Sequence, residues 1–245
     1  MTGNGAAAES PAQEIEPGLW LRPGTPPLRL ADFGLVAFDM DSTLIDMECI
    51  DEIAAEAGRK AEVAAITEAA MRGEITDYQD SLRRRLALLR GVPVSALDAV
   101  LQRLRMNPGV ERFVAACRGA GLKTLLVSGG FTFFSEPVRQ RLQLDFARAN
   151  TLAVEAGRLT GELVQQPWGR VVDGAEKRRV MLELADLLGL PAARCIAVGD
   201  GANDLPMMEA AGLSIAFHAK PAVQARAALA ISSGGMDRAL GVLRA

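Results

Sequence analysis

Residues 33–43 read FGLVAFDMDST, an uninterrupted apolar run that ends in two aspartates, a serine and a threonine. A short apolar run followed by a polar turn is typical of a strand of a parallel sheet that is buried on both faces. Asp39 and Asp41 stand two residues apart where this strand ends. One carboxylate can therefore face a bound group while the other faces the atom that leaves it. The pattern predicts a reactive cluster at the carboxyl end of a strand.

The same pattern of a strand followed by a polar turn recurs farther along the chain. Residues 123–127 read KTLLV and end at Ser-Gly-Gly (128–130), and residues 195–198 read CIAV and end at GDGAND (199–204). A fourth strand is predicted over 213–217. Helical runs separate these strands, and this alternation indicates an α/β fold with a parallel, Rossmann-like sheet between two helical layers.

The polar clusters predict where a site lies, because ligands of open parallel sheets bind outside the carboxyl ends of the strands. Residues 47–105 have helical apolar spacing and follow the first cluster, so we expect a small helical cap over the crevice. Residues 151–164 alternate around Ala156-Gly157 and predict a β-hairpin flap. The expected organisation is a loose tail over 1–28, an α/β core over 29–46 and 106–245, and a cap over 47–105.

Composition narrows the class of protein. The chain has 245 residues, 49% apolar and 23% charged, with a net charge of −3, which is typical of a soluble globular protein. We expect no nucleic-acid partner, because no basic block is present, and no membrane span, because no apolar run is long enough. The absence of a signal-like N-terminus and the sparse cysteines (Cys49, Cys117 and Cys195) favour the cytoplasm. Monomer and homodimer both remain open.

The aspartates suit phosphoryl transfer, which depends on positioning and charge neutralisation. Asp39 can attack phosphorus to form a mixed anhydride, and Asp41 can protonate the leaving oxygen and then activate water. A carboxylate that attacks a phosphate dianion needs a cation, and Mg²⁺ prefers oxygen ligands. Asp39, Asp200 and a backbone carbonyl near Asp41 can supply these ligands, with Asp204 either in direct contact or behind them.

Other side chains suit the phosphate itself. Ser128 can donate a hydrogen bond, Gly129 and Gly130 allow backbone N–H groups to come close, and Lys177 can neutralise the transferring group. Taken alone, each of these short motifs more often marks an ordinary turn, a helix cap or a solvated helix residue than a functional site. Their occurrence together and in order, each of the three clusters after an apolar strand, favours function. A mechanism that needs two histidines is excluded, because the chain has only one, His218. A P-loop nucleotide site and a phosphocysteine mechanism are not indicated, because neither motif is present.

These motifs, DMDST (39–43), SGG (128–130), Lys177 and GDGAND (199–204), resemble the four motifs of the haloacid dehalogenase superfamily over residues 33–240. The resemblance implies that Asp39 is the nucleophile and Asp41 the general acid/base. It also implies Mg²⁺ on Asp39, the Asp41 carbonyl and Asp200. Phosphate binding falls to Ser128, Gly129, Gly130 and Lys177, with Asn203 and Asp204 in support.

Within the superfamily, the sequence after Asp39 is most similar to members that dephosphorylate phosphoserine in the last step of serine biosynthesis. The resemblance places Glu48 at the substrate ammonium, Arg85 at its carboxylate, with Arg83 as an alternative, and Met71 in the pocket wall. Two other functions stay open: a phosphatase or phosphotransferase for another small phosphate, such as phosphohomoserine or a phosphosugar, and an inactive phosphoamino-acid sensor. An intact aspartate pair favours an enzyme over the sensor.

Overall fold

The computed structural model describes residues 12–23, 25, 28–71, 74–75 and 77–244. The strands are β1 (Gln13–Glu16), β2 (Leu19–Leu21), β3 (Leu28–Arg29), β4 (Leu35–Phe38), β5 (Lys123–Phe131), β6 (Phe146–Asn150), β7 (Leu152–Glu155), β8 (Arg158–Leu163), β9 (Cys195–Gly199), β10 (Leu213–Phe217), β11 (Leu229–Ile231) and β12 (Leu243–Arg244). The α-helices are α1 (Cys49–Glu56), α2 (Lys60–Met71), α3 (Tyr78–Leu88), α4 (Val94–Arg103), α5 (Val110–Gly119), α6 (Thr132–Leu142), α7 (Gly174–Leu187), α8 (Leu205–Ala210) and α9 (Pro221–Gln224).

One sheet carries most of the strands, in the order β1-β2-β11-β10-β9-β4-β5-β6. Neighbouring strands from β11 to β6 run parallel. The first predicted strand, β4, lies in the middle, with Phe38 opposite Leu126 of β5 and Val198 of β9. Because β4, β5 and β9 point the same way, the polar clusters that follow them meet at one edge of the sheet, as predicted.

Both faces of β4 are covered, because its successive side chains enter different cores. Leu35 and Ala37 pack with side chains of α7 and α8, whereas Val36 and Phe38 pack with side chains of α5 and α6. All four residues are completely buried. A strand that is buried on both faces has no polar side to alternate, which explains its continuous apolar sequence. The predicted three-layer α/β fold with a mostly parallel sheet is confirmed.

The N-terminal region differs from the predicted loose tail. Residues 13–16 and 19–21 form a β-hairpin, and β2 continues the sheet by pairing antiparallel with β11, with Trp20 opposite Ala230. Leu19 is buried at this junction. The hairpin covers the edge of β11, which would otherwise expose unpaired backbone groups. The prediction was wrong for residues 13–21, whereas residues 1–11 lie outside the described part of the chain.

Helices α1 to α4 occupy the chain between β4 and β5. The segments that enter and leave this insertion run side by side, because Asp46 N donates to Arg105 O and Asn107 N donates to Leu44 O, at 3.1 and 2.9 Å. Ile45 and Met106 form an isolated antiparallel bridge at the same place. We infer from this double crossing that residues 47–105 form the cap and that the rest of the chain forms the core.

The hairpin predicted over 151–164 corresponds to β7 and β8, which pair antiparallel. Ala156 and Gly157 both have positive φ, 48° and 74°, as the tightest hairpin turns require. The hairpin contacts the cap, since Leu159 exchanges backbone hydrogen bonds with Gly91 and Val92 between α3 and α4. Among the described residues, no helix combines the length and the apolar character that crossing a bilayer requires.

Candidate active site

The turn after β4 presents the two predicted catalytic aspartates to the crevice. Asp39 follows the last residue of β4 and is only 5% exposed. Two residues beyond Met40 the backbone turns sharply at Ser42, whose φ of 56° lies in the left-handed region. Asn107 stabilises this turn, because its Nδ2 donates to the carbonyl oxygens of Ser42, Thr43 and Ile45. The strained backbone is therefore held by a residue on the opposite side of the insertion.

Lys177 lies at the centre of a buried charge cluster. Its Nζ is 2.7 Å from Asp39 Oδ1 and 2.7 Å from Asp204 Oδ1, and its side chain is completely buried. Asp204 Oδ2 accepts from the backbone N–H groups of Asp200 and Gly201, at 3.1 and 2.9 Å. Asp204 thus connects the lysine of α7 to the loop after β9, and it fixes both in relation to Asp39.

The Ser-Gly-Gly segment of β5 approaches Asp41. Ser128 Oγ accepts a hydrogen bond from Gly130 N at 2.8 Å and donates a long one, 3.5 Å, to Asp41 Oδ2. Asp41 Oδ1 accepts from the backbone N–H of Cys49 at the start of the cap. A Cβ at Gly130 would lie 2.5 Å from Asp41 Oδ2, so only glycine permits this approach.

The carboxylates of Asp39, Asp200 and Asp204 converge, with one oxygen of each within 4.8 Å of the others. Both Asp204 oxygens already accept hydrogen bonds, whereas Asp39 and Asp200 each keep one oxygen without a donor among the described residues. Thr43 Oγ1 donates to the other Asp200 oxygen at 3.1 Å. Converging carboxylates, two of which keep an oxygen without a donor, suit a metal ion that prefers oxygen ligands.

Burial and mutual repulsion raise the pKa of these acids. Burial raises the pKa of Asp39 well above its usual range, and the charges of Asp204 and Asp200 add to the rise while Lys177 opposes it. Burial, together with Asp204, raises the pKa of Asp200 to about 6. The pKa of Asp41 is also raised, mainly by burial. A cation would relieve this repulsion, so the acids fit a metal site electrostatically as well as geometrically.

A cavity of about 720 Å³ extends from these aspartates to the cap. Glu48 lies in its wall, and Ser42 Oγ donates to Glu48 Oε1 at 2.7 Å. Glu48 is open to the cavity, yet loss of water around it raises its pKa to about 8, with Asp41 adding to the rise. Arg85 and Asp51 line the same end. The cap wall therefore carries two carboxyl groups and a guanidinium, at the end of the cavity away from the aspartate cluster.

The structure distinguishes the consecutive arginines of α3. Arg85 is partly buried and lines the cavity, with its Nε 3.4 Å from the carbonyl oxygen of Ser81. Arg83 is 70% exposed and lies 3.7 Å from Asp77, outside the cavity lining. Arg84 pairs with Asp80 on the surface. Arg85 is thus the arginine of this run that can reach a ligand.

The structure also gives the positions of the other residues that the sequence analysis named. Asn203 lines the cavity and is partly buried, next to Gly201. The side chain of Met71 lies outside the described part of the structure, so its predicted place in the pocket wall stays a prediction. His218 is an exposed loop residue that stacks on Phe217, 4.1 Å between ring centroids, and all three cysteines are buried.

Besides Thr43, which donates to Asp200, four side chains at the site were missed by the sequence analysis. Ser42 and Asn107 organise the turn, and Tyr78 and Asp51 line the cavity from the cap. The acidic run after Glu48 contained Asp51, and helical spacing of three residues places it on the same face as Glu48. Ser42 lies within the DMDST motif and reaches the site through the local turn, whereas Asn107 and Tyr78 are brought there by tertiary packing.

Comparison with known proteins agrees with this geometry. Residues 36–209 match the family of haloacid dehalogenase-like hydrolases. A phosphoserine phosphatase of Polaromonas sp. (strain JS666) is 60% identical over 232 residues, which cover 94% of this chain and 98% of that protein. A phosphoserine phosphatase of Idiomarina loihiensis is 47% identical over 86% of this chain and 94% of its own length.

Solved structures give the same result. A structure described as a phospho-aspartyl intermediate analogue of phosphoserine phosphatase superposes with a TM-score of 0.80 at 36% identity, covering 86% of this chain and 99% of that one. A substrate-bound phosphoserine phosphatase complex has the same TM-score, identity and coverage. The chain therefore belongs to the haloacid dehalogenase-like hydrolases, and within them to the phosphoserine phosphatases.

Proposed function

We propose that this chain hydrolyses phosphoserine to serine and phosphate through an aspartyl-phosphate on Asp39. One observation carries the proposal: a single cavity joins a buried aspartate cluster to a cap wall with a carboxylate and a guanidinium. Phosphoserine has the matching charges, with a phosphate at one end and an ammonium and a carboxylate at the other. The high identity to phosphoserine phosphatases supports the same substrate.

Asp39 and Asp41 divide the chemistry. Asp39 attacks phosphorus, the ester P–O bond breaks, and the serine oxygen takes a proton from Asp41. Water then attacks the phosphorus, its proton returns to Asp41, and the bond from phosphorus to Asp39 breaks. The raised pKa of Asp41 suits a proton donor, because the acid form must be populated when the leaving oxygen needs it. Its hydrogen bonds from Cys49 and Ser128 keep it beside Asp39.

Mg²⁺ is the metal that we propose for the site. Asp39, Asp200 and the main-chain carbonyl of Asp41 would hold it, while Asp204 supports from behind because its oxygens are committed to Lys177 and the backbone. When bound, the ion neutralises the repulsion between the attacking carboxylate and the phosphate. An all-oxygen donor set of this kind favours Mg²⁺ over softer metals.

Phosphate is held by groups that converge from three parts of the core. Ser128 Oγ, the N–H groups of Gly129 and Gly130, and Lys177 Nζ would contact its oxygens, with Asn203 at the rim. Lys177 stays protonated, because Asp204 and Asp39 outweigh the effect of burial and leave its pKa above the usual value. A permanent cation beside Asp39 stabilises the charge that spreads over the phosphoryl oxygens.

The amino-acid part of the substrate is recognised by the cap. Glu48 would accept from the ammonium, and Arg85 would hold the carboxylate in a two-pronged contact. A phosphosugar lacks both groups, so it fits less well. Phosphohomoserine, one methylene longer, is the nearest competitor. The cap would exclude water while the anhydride forms. We also propose a cytoplasmic location, supported by three buried free cysteines.

Phosphate release from phosphoserine, phosphohomoserine and a sugar phosphate tests the proposal, with Mg²⁺ and with EDTA. With Mg²⁺ we expect much faster phosphate release from phosphoserine than from the other two esters. With EDTA we expect no phosphate release. Asp39→Asn should reduce kcat on the order of 10⁴-fold or more, because the nucleophile is lost. Asp98→Asn, an exposed acid of α4, is the control and should leave kcat unchanged.

The alternatives give different outcomes. If the three esters are hydrolysed equally fast, the proposed chemistry stands, but the assignment of Glu48 to the ammonium and Arg85 to the carboxylate is refuted. Binding of phosphoserine without phosphate release would favour the sensor.

A further inference from the structure

The first residue of α3, Tyr78, reaches from the cap to the phosphate-binding segment of the core. Its side chain is partly buried and lines the cavity. A Cβ built on Gly129 would overlap Tyr78 Oη and would lie 3.3 Å from Tyr78 Cζ. The hydroxyl therefore rests against Gly129 itself, between Ser128 and Gly130. A cap residue thus completes the wall around the position where a phosphoryl group would bind.

The hydroxyl of Tyr78 has no hydrogen-bond partner among the residues that the structure describes. A hydroxyl can both donate and accept, and leaving a donor unsatisfied becomes costly once a bound ligand has displaced water from the site. Burial raises the pKa of Tyr78 to about 12, so the group remains a neutral donor. Its electrostatic neighbours are Lys177, Arg85, Asp39 and Asp41, so it lies between the two ends of the cavity.

Docking of the cap does not require this hydroxyl. The neighbouring Gln79 already joins α3 to the core, because its Nε2 donates to Asp173 Oδ2 at 2.9 Å. Asp173 in turn caps α7, the helix that carries Lys177, by accepting from Glu176 N. A phenylalanine at position 78 would keep the ring contact with Gly129. The hydroxyl is therefore available for a ligand.

We propose that Tyr78 Oη donates a hydrogen bond to an oxygen of the transferring phosphoryl group, which makes Tyr78 a further substrate-binding residue contributed by the cap. The proposal rests on the proposed function, because it assumes that the phosphoryl group binds at Ser128-Gly129-Gly130. It gives the cap two tasks. Glu48 and Arg85 recognise the amino acid, and Tyr78 contacts the group that reacts.

The test compares Tyr78→Phe with Gln79→Ala, using phosphoserine, a phosphate ester without an amino acid, and inorganic phosphate in the presence of Mg²⁺. For Tyr78→Phe we expect about a tenfold loss of kcat/KM on both esters and a similar loss of affinity for inorganic phosphate. Affinity for L-serine should not change. Gln79→Ala removes only the hydrogen bond to Asp173, so it should not selectively weaken the binding of inorganic phosphate.

Two results would overturn the proposal: unchanged binding of inorganic phosphate in Tyr78→Phe, or an equal loss in Gln79→Ala. The proposed function fails separately, if the wild-type protein does not hydrolyse phosphoserine with Mg²⁺. In that case a phosphate affinity that depends on the Tyr78 hydroxyl would still support the contact.

A double-mutant cycle checks the geometry independently. Gly129→Ala places a methyl group against Tyr78 Oη, whereas in the Tyr78→Phe background its nearest atoms would be Val172 O at 3.2 Å and the ring at 3.3 Å. We expect Gly129→Ala to weaken phosphate binding less in the Tyr78→Phe background than in the wild type. Additive effects would contradict the close contact from which the proposal starts.

Discussion

At the core end of the cavity, Lys177 holds Asp39 and Asp204 at 2.7 Å each, and every one of these charges is paired within the protein. At the cap end, Arg85 has no ion pair among the described residues, and the buried Oδ1 of Asp51 has no hydrogen-bond donor there. The two ends belong to one cavity but are balanced in opposite ways. Lys177 and its two aspartates compensate one another within the fold, whereas Arg85 and Asp51 at the cap end are left for a ligand.

This difference separates stability from recognition. Burying a charge is costly unless a partner compensates it, so the core cluster must form whenever the chain folds. It is then organised before the substrate arrives, which suits a chemical step that depends on fixed electrostatics. Glu48 and Arg85 in the cap keep more access to solvent, and the side chain of each makes one hydrogen bond within the protein, which leaves their other donors and acceptors for a ligand. We infer that the core end sets the reaction and the cap end selects the molecule.

The largest expected effect comes from breaking the core cluster. Lys177→Met leaves Asp39 and Asp204 buried without their cation, and we expect the free energy of unfolding to fall by about 3–5 kcal/mol. Phosphatase activity should be lost as well. Urea unfolding followed by circular dichroism measures the first effect, and phosphate release measures the second.

A matched surface lysine provides the control for that experiment. Lys123 pairs with Asp145 at 2.8 Å but is 50% exposed, so Lys123→Met should cost less than about 1 kcal/mol. Similar losses in both variants would contradict the contrast between buried and exposed pairs.

A smaller effect is expected at the cap end, on substrate binding rather than on folding. Arg85→Lys keeps the charge and loses the two-pronged geometry, so KM for phosphoserine should rise by about 30-fold, equivalent to about 2 kcal/mol. The melting temperature should hardly change. Arg83→Lys, on the exposed side of α3, is the matched control and should leave KM unchanged. A larger rise in Arg83→Lys would return the assignment to the alternative that the sequence left open.

The sequence could not separate these arginines for a geometric reason. Consecutive residues of a helix point about 100° apart, so Arg83, Arg84 and Arg85 face three directions. Which of them faces the cavity depends on how α3 is rotated against the core, and tertiary contacts such as that of Gln79 with Asp173 set this rotation. By contrast, Asp39 and Asp41 were predictable, because a strand end fixes their direction locally.

The same distinction applies to the fold. Strands β4, β5, β9 and β10 were predictable because burial on both faces demands continuous apolar sequence. The hairpin of β1 and β2 was not, since all four residues of β1 are exposed and carry no apolar pattern. Its structure depends on the free edge of β11. Lys177 was predicted to contact phosphate, but its pairing with Asp204 depends on the packing of α7 against the turn that precedes α8, which no local pattern indicates.

The smallest expected effect tests whether Ser42, in the turn after β4, controls the ionisation of Glu48 at the start of the cap. Ser42 Oγ donates to Glu48 Oε1, and this bond lowers the pKa of Glu48 against the burial that raises it. Ser42→Ala removes the donor, so the pKa of Glu48 should rise above its present value of about 8. Fewer molecules then carry the ionised carboxylate that the substrate ammonium needs. We expect KM for phosphoserine to rise about fivefold while kcat stays within about twofold.

The Glu48→Gln background shows whether this effect passes through Glu48. An amide at position 48 has no charge to lose, so Ser42→Ala should raise KM no further there. Raising the pH should restore binding in Ser42→Ala, because a raised pKa keeps the carboxyl protonated at lower pH and releases its proton as the pH rises. A rise in KM of about fivefold that persists in Glu48→Gln would instead mean that Ser42 acts through its turn. The left-handed φ of 56° at this residue, which alanine tolerates no better than serine, would then be the feature that matters.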